Sequence, residues 1–198
     1  MVARASIDAL AATVLHQHPD LVQRIGGDGT LTLLFGDLEG GTEMTEPLGG
    51  RETTRNQIVR KHASIHGGFE LALDGDSFLL AFANARQAVW CAIALQRAFT
   101  AHRATRRDRA QHLRIGLHTA EAIDQAVRLA AGIASQARGG EIVVSSDLKE
   151  RIERDELGRS VCFVGAREAE VGGAVARFLL YTVQWGERGA GVSPEDPA

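Results

Sequence analysis

Asp37 closes the apolar run LTLLFGD, and shortly after it a glycine pair, Gly40-Gly41, leads into Thr42 and what reads as the start of a helix. An acid at the end of a core strand, next to bare backbone, has two chemical uses. Asp and Gly are ordinary turn residues. A carboxylate is also the ligand type that hard divalent cations require, and free N–H groups at a helix start attract phosphate. Asp76 poses the same choice within FELALDGDSFLLAF, where Asp74-Gly75-Asp76 is hairpin chemistry and also a second carboxylate.

The elements that must position these acids follow from periodicity. Residues 4–17 carry apolar side chains at helical spacing and Pro19 ends that helix, with a shorter helical stretch from Leu21 to Ile25. Thr30 to Phe35 reads as the first strand. Thr42 can cap a helix that Pro47 and Gly49-Gly50 interrupt and that resumes through Ile58, Val59, His62 and Ile65, ending at Gly67-Gly68. The two runs around the Asp-Gly turn predict a hairpin. A helix follows over Ala85 to His102, then a basic, solvated connection to Arg109. HLRIGLHT reads as a strand and Ile123 to Ala137 as a helix with Ala126, Val127, Ala130, Ala131 and Ala134 inward. EIVVSS is a strand, DLKERIER a helix, and SVCFVG and ARFLLYTVQW are closing strands. The order βαββαβ with further αβ units predicts an α+β, ferredoxin-like core, a mostly antiparallel sheet with its helices on one face. Residues 1–28 are expected to form a helical extension, 29–185 the domain, and 186–198 a disordered tail.

Bulk properties narrow the classes of function. The 198 residues suit one domain, and 44% hydrophobic with 24% charged residues can build a core. A net charge of −3 gives no case for nucleic-acid binding, which needs a basic face. No apolar stretch is long enough to span a bilayer, and the N-terminus is a poor secretory signal. Cys91 and Cys162 lie in apolar surroundings and read as buried thiols, so a cytoplasmic location is expected.

FGDLEGGT resembles the F-x-D-[IL]-x-G-S-T signature that ends the first strand of class III adenylate and guanylate cyclase domains. Three more stretches match in order: HGGFELALDGDSFLLAF, LRIGLHTAE, and AVRLAAGIASQARGGEIVVSS. The resemblance runs from about Gly29 to Val183. It implies attack of a ribose 3′-OH on the α-phosphate of ATP or GTP, helped by Mg²⁺ or Mn²⁺. Asp37 and Asp76 match the family's metal-binding pair, and the Leu38 carbonyl its main-chain ligand. Glu39, Gly40, Gly41 and Thr42 would present N–H groups to the β- and γ-phosphates. Gly41 stands where the family has a Ser.

The partner's half of such a site departs from the pattern. The family's base-reading Lys aligns with Ala72, its ribose-orienting Asn with Arg128, and its transition-state Arg with Gly132. The chain is also short between Glu121 and Ala126, where a base-reading residue and a partner-embracing arm belong; Asp124 is the only acid nearby. Arg128 lies one helical turn before Gly132, which displaces it by several ångströms. A lost preorganised donor costs about 3 kcal/mol, on the order of a hundredfold in rate. The resemblance therefore implies a degenerate cyclase domain that is inactive as a homodimer and acts in nucleotide binding or regulation. The alternatives are a half-site subunit completed by another cyclase-type chain, and a weakly active adenylate cyclase making cAMP.

Overall fold

The structure is a computed structural model that describes residues 27, 29–39, 49–74, 76–106, 112–121, 123–155, 160–171 and 177–186. The expected helices over 4–17 and 21–25, the stretch holding Gly40, Gly41 and Thr42, and residues 187–198 of the expected tail lie outside the described residues.

Strand β1 (Leu31–Glu39) is central because its side chains are apolar at both parities, and such a strand must be covered on both faces. It pairs antiparallel with β3 (Ser77–Phe82) on one side and with β4 (His112–Ala120) on the other. With β2 (Phe69–Asp74), β5 (Ile142–Ser145), β6 (Cys162–Glu170) and β7 (Arg177–Gln184), these make a seven-stranded sheet in the order β2-β3-β1-β4-β5-β7-β6. Only the β4–β5 pair is parallel among the paired strands. The helices among the described residues are α1 (Gly49–Ile65), α2 (Ala85–Arg106), α3 (Ile123–Gln136) and α4 (Ser146–Arg154). The architecture is α+β, and its first four strands have the ferredoxin-like arrangement.

One expectation about the layers is corrected. Leu34, Leu38, Ile115 and Leu117 pack with Val59 of α1, Ala88 and Leu95 of α2, and Leu148 and Ile152 of α4. Leu31, Leu33, Phe35 and Leu79 face the other way, onto Ala126, Val127, Ala130 and Ala134 of α3. The helices thus cover both faces, with α3 on its own. Each fully buried leucine in these layers stabilises by about 1.5–3 kcal/mol.

Element boundaries shift for physical reasons. The first strand continues past Phe35 to Glu39, because the ladder with β4 keeps pairing through Glu39↔His112. Helix α2 continues to Arg106, into the basic stretch expected to be a connection. The turn after α1 is as expected: Gly67 has φ +66, and the Gly68 N–H donates to the Ala63 carbonyl at 2.7 Å. Cys91 is buried, and burial pushes its thiol up to about 12. Cys162 is exposed, against expectation, since β6 is an edge strand with one side uncovered.

Candidate functional site

Asp37 sits on the α3 side of β1, near the strand's end, with Ser77 of β3 and Arg114 of β4 directly opposite on its two neighbours. Both of its carboxylate oxygens are engaged. Oδ1 accepts from the Ser77 hydroxyl at 2.9 Å, and Oδ2 accepts from Arg114 Nε at 2.9 Å and also from Arg114 Nη2. The carboxylate is nearly buried, its side chain 9% exposed, so this charge-assisted pairing is shielded from water.

Asp76 belongs to the turn between β2 and β3. Its Oδ1 accepts from Arg55 Nη1 of α1 at 2.5 Å, with the Arg55 side chain 17% exposed. The Leu38 N–H donates to the Asp76 carbonyl at 3.2 Å, which ties the end of β1 to the hairpin tip. The sheet thus brings the two acids named from sequence to the same end of neighbouring elements, and Leu38 lies between them, buried. Glu39 is the last residue of the strand, and its carboxylate accepts from the Gly139 N–H at 2.9 Å.

The other named residues are placed as follows. Ala72 lies in β2, partly buried against the α3-side core. Gly132 is inside α3, its carbonyl accepting from the Ser135 hydroxyl at 2.6 Å, and Arg128 is half-buried one turn earlier. The Asp124 side chain lies outside what the structure describes. Arg55, Arg114 and Ser77 were not singled out from the sequence. For Arg114 a signal existed, since the antiparallel pairing of two recognised strands sets it across from Asp37.

Whether this end fits a divalent ion can be judged from the carboxylates. Both oxygens of Asp37 and one of Asp76 accept hydrogen bonds from the chain's own donors, and a carboxylate oxygen that accepts one hydrogen bond keeps a second lone pair for a hard cation. Among the described residues no buried side-chain polar atom lacks a partner, so no orphaned group waits there for an ion, and no cluster of three or more His, Cys, Asp or Glu forms. Asp37 and Asp76 are the carboxylates at this end that would hold a divalent ion, with Ser77, Arg114 and Arg55 as their hydrogen-bond partners.

A cleft of 610 Å³ lies elsewhere, lined by Thr30, Asn84, Arg86, Glu150, Arg154 and Asp155 among others. Thr30 is at the opposite end of β1 from Asp37, about 20 Å away at the strand rise. The cleft is therefore separate from the paired acids.

His118 on β4 is 3% exposed, and its Nδ1 lies 2.9 Å from the Ser145 hydroxyl, which also accepts from the Leu148 N–H as the cap of α4. Burial holds the imidazole below its ordinary value, with Asp147 opposing weakly. Above the unfolded value, about 6.5, the ring is neutral in both states. As pH falls below that, the unfolded chain takes up the proton first, so stability is lost until the folded value is passed. The urea midpoint is expected to fall as pH drops below about 6.5, and His118→Gln to flatten the fall. An equally steep fall in that variant would show that other groups carry it.

The comparisons with known proteins agree with this architecture. The adenylyl cyclase CyaB from P. aeruginosa superposes with a TM-score of 0.68 at 21% identity, covering 82% of this chain and 97% of that one. An adenylate/guanylate cyclase/hydrolase from Silicibacter pomeroyi gives 0.62 at 22% identity over 78% of this chain and 95% of that one. The guanylate cyclase domain of RhGC from Catenaria anguillulae, solved with GTP, gives 0.61 at 17% identity over 79% of this chain and 96% of that one. The chain has the fold of the class III adenylate/guanylate cyclase homology domain. By sequence it is 31% identical over 138 residues to uncharacterized proteins of Mycobacterium tuberculosis and Mycobacterium bovis. That alignment takes in 63% of this chain, which spans about half the length, 46%, of those relatives. No family model matches. Among the described residues no helix is long and apolar enough to cross a membrane.

Proposed function

We propose that the chain is a cyclase-homology domain without useful turnover as a homodimer, acting in signalling regulation by binding a nucleotide or a cyclase-type partner. What carries this reading is the absence of a donor at two positions: Ala72 on β2 and Gly132 on α3 offer no side-chain hydrogen bond where the family reads the base and stabilises the transition state. Arg128 is held one turn from Gly132 on a helix whose small side chains pack flat on the sheet, so it is not aimed from the same place. Each missing preorganised donor costs on the order of a hundredfold.

The test is cyclic-nucleotide production from ATP and GTP with Mg²⁺ or Mn²⁺. The purified chain is expected to make none above an Asp37→Ala control; clear turnover abolished in that control would overturn the reading. A second reading, a half-site subunit, is favoured by the survival of Asp37 and Asp76 at adjoining strand ends. It requires activity to appear on mixing with a chain that carries Lys, Asn and Arg.

A further inference from the structure

We propose that His62 and His66, at the C-terminal end of α1, form a surface site for a divalent transition-metal cation of the Zn²⁺ or Cu²⁺ kind. The His66 N–H donates to the His62 carbonyl at 3.2 Å, so the helical turn continues past Ile65 and joins the two residues. Helical side chains four residues apart are neighbours, with Cβ atoms about 5–6 Å apart, and two imidazoles at this spacing can share one ion. Ile65, on the same side of the helix, is 63% exposed, and both histidines are half-buried. An ion can therefore reach the pair from water. The site is independent of the proposed function: Arg55, which holds Asp76, lies about two turns earlier on α1.

Helix α2 holds one of the two rings. Gln87 Oε1 can only accept, so His66 Nδ1, 3.3 Å away, carries the proton and Nε2 keeps its lone pair for an ion. An N–H anchored on one side of the ring and a free lone pair on the other is how metal-binding histidines are oriented. Burial, Lys61 and His66 hold the His62 imidazole below its ordinary value, so this ring is neutral, the ligand form, at pH 7. Two other histidines lack such a setting. His112 lies against the Arg103 guanidinium, which repels a cation, and His118 is buried on Ser145. Imidazole suits Zn²⁺ and Cu²⁺, whereas Mg²⁺ and Mn²⁺ prefer oxygen ligands, so the pair selects a different ion from the carboxylates. Water fills the remaining positions, and the bound ion clamps the last turn of α1 beside α2.

Calorimetric titration of the purified chain with Zn²⁺, in excess Mg²⁺ and without nucleotide, tests this separately from turnover. With two of the four ligands of a structural zinc site, the wild-type chain is expected to bind Zn²⁺ in the micromolar range. His62→Asn and His66→Asn are each expected to weaken binding at least about tenfold, and Gln87→Ala, which frees the His66 ring, by about tenfold. Asp76→Asn is expected to leave it unchanged. Zn²⁺ should also raise the urea midpoint of the wild-type chain but not of His66→Asn. No binding up to about 1 mM Zn²⁺, or wild-type affinity in either histidine variant, overturns the site. Binding lost in Asp76→Asn and kept in the histidine variants overturns it too, whether or not the chain turns over nucleotide. If a variant does not fold, the Cu²⁺ EPR spectrum of the wild-type chain decides: coupling to two imidazole nitrogens is expected, and coupling to one or none overturns the proposal.

Discussion

Arg114→Met is expected to destabilise the fold by about 3 kcal/mol, the size of the effect when one partner of a buried pair is removed. For a chain of this length that is a fall in Tm on the order of 6–12 °C. The cost comes less from the lost attraction than from Asp37, which stays nearly buried with one oxygen stripped of its donors. Asp37→Asn in the same background relieves that charge, so the double variant should be markedly more stable than the sum of the two single changes requires. A thermodynamic cycle from urea unfolding measures the coupling. Additive losses would mean that the two residues do not act on each other, and the pairing would then have no structural weight. The Arg55–Asp76 pair, more exposed on its acid, is expected to cost less when broken in the same way.

That pairing shows where sequence reading stops. The hairpin was legible because alternating residues around an Asp-Gly turn leave few other conformations. Helix α3 was legible because Ala126, Val127, Ala130, Ala131 and Ala134 recur on one stripe. The two acids could be named from motifs, each tied to a strand end. Their counter-ions lie 77 residues away for Asp37 and 21 for Asp76, and only the sheet register and the seat of α1 bring them in. The layer on which α3 lies was harder to read, since an amphipathic helix has the same pattern on either face of a sheet. The clue was in β1 itself, where Leu33 and Phe35 alternate with Leu34 and leave no polar face. Cys162 was misjudged because apolar neighbours in sequence do not reveal an edge strand.

The close seat of α3 on the sheet depends on Gly116, and its replacement by Ala is expected to cost at least as much as the loss of Arg114. A Cβ at this position of β4 would lie 2.2 Å from Ala134 N, 2.5 Å from Ala130 O and 2.7 Å from Ala134 Cα. All three are backbone atoms of a regular helix, so none can rotate away; α3 must lift off the sheet or β4 must sink. Overpacking of this kind costs about 1–3 kcal/mol when side chains absorb it, and more when a helix has to move. Lifting α3 also opens the layer where Ala126, Ala130 and Ala134 meet Leu33, Phe35 and Leu79. Gly36 provides the control. Its added Cβ would come closer still, 2.1 Å from an atom, but that atom is the far end of the Phe78 ring on the other side of the sheet. A side chain can turn by a rotamer change where a backbone cannot, so Gly36→Ala is expected to lower the urea midpoint less than Gly116→Ala. The reverse order would show that α3 yields more easily than the aromatic core, and that its flat packing on β4 is not what fixes its place.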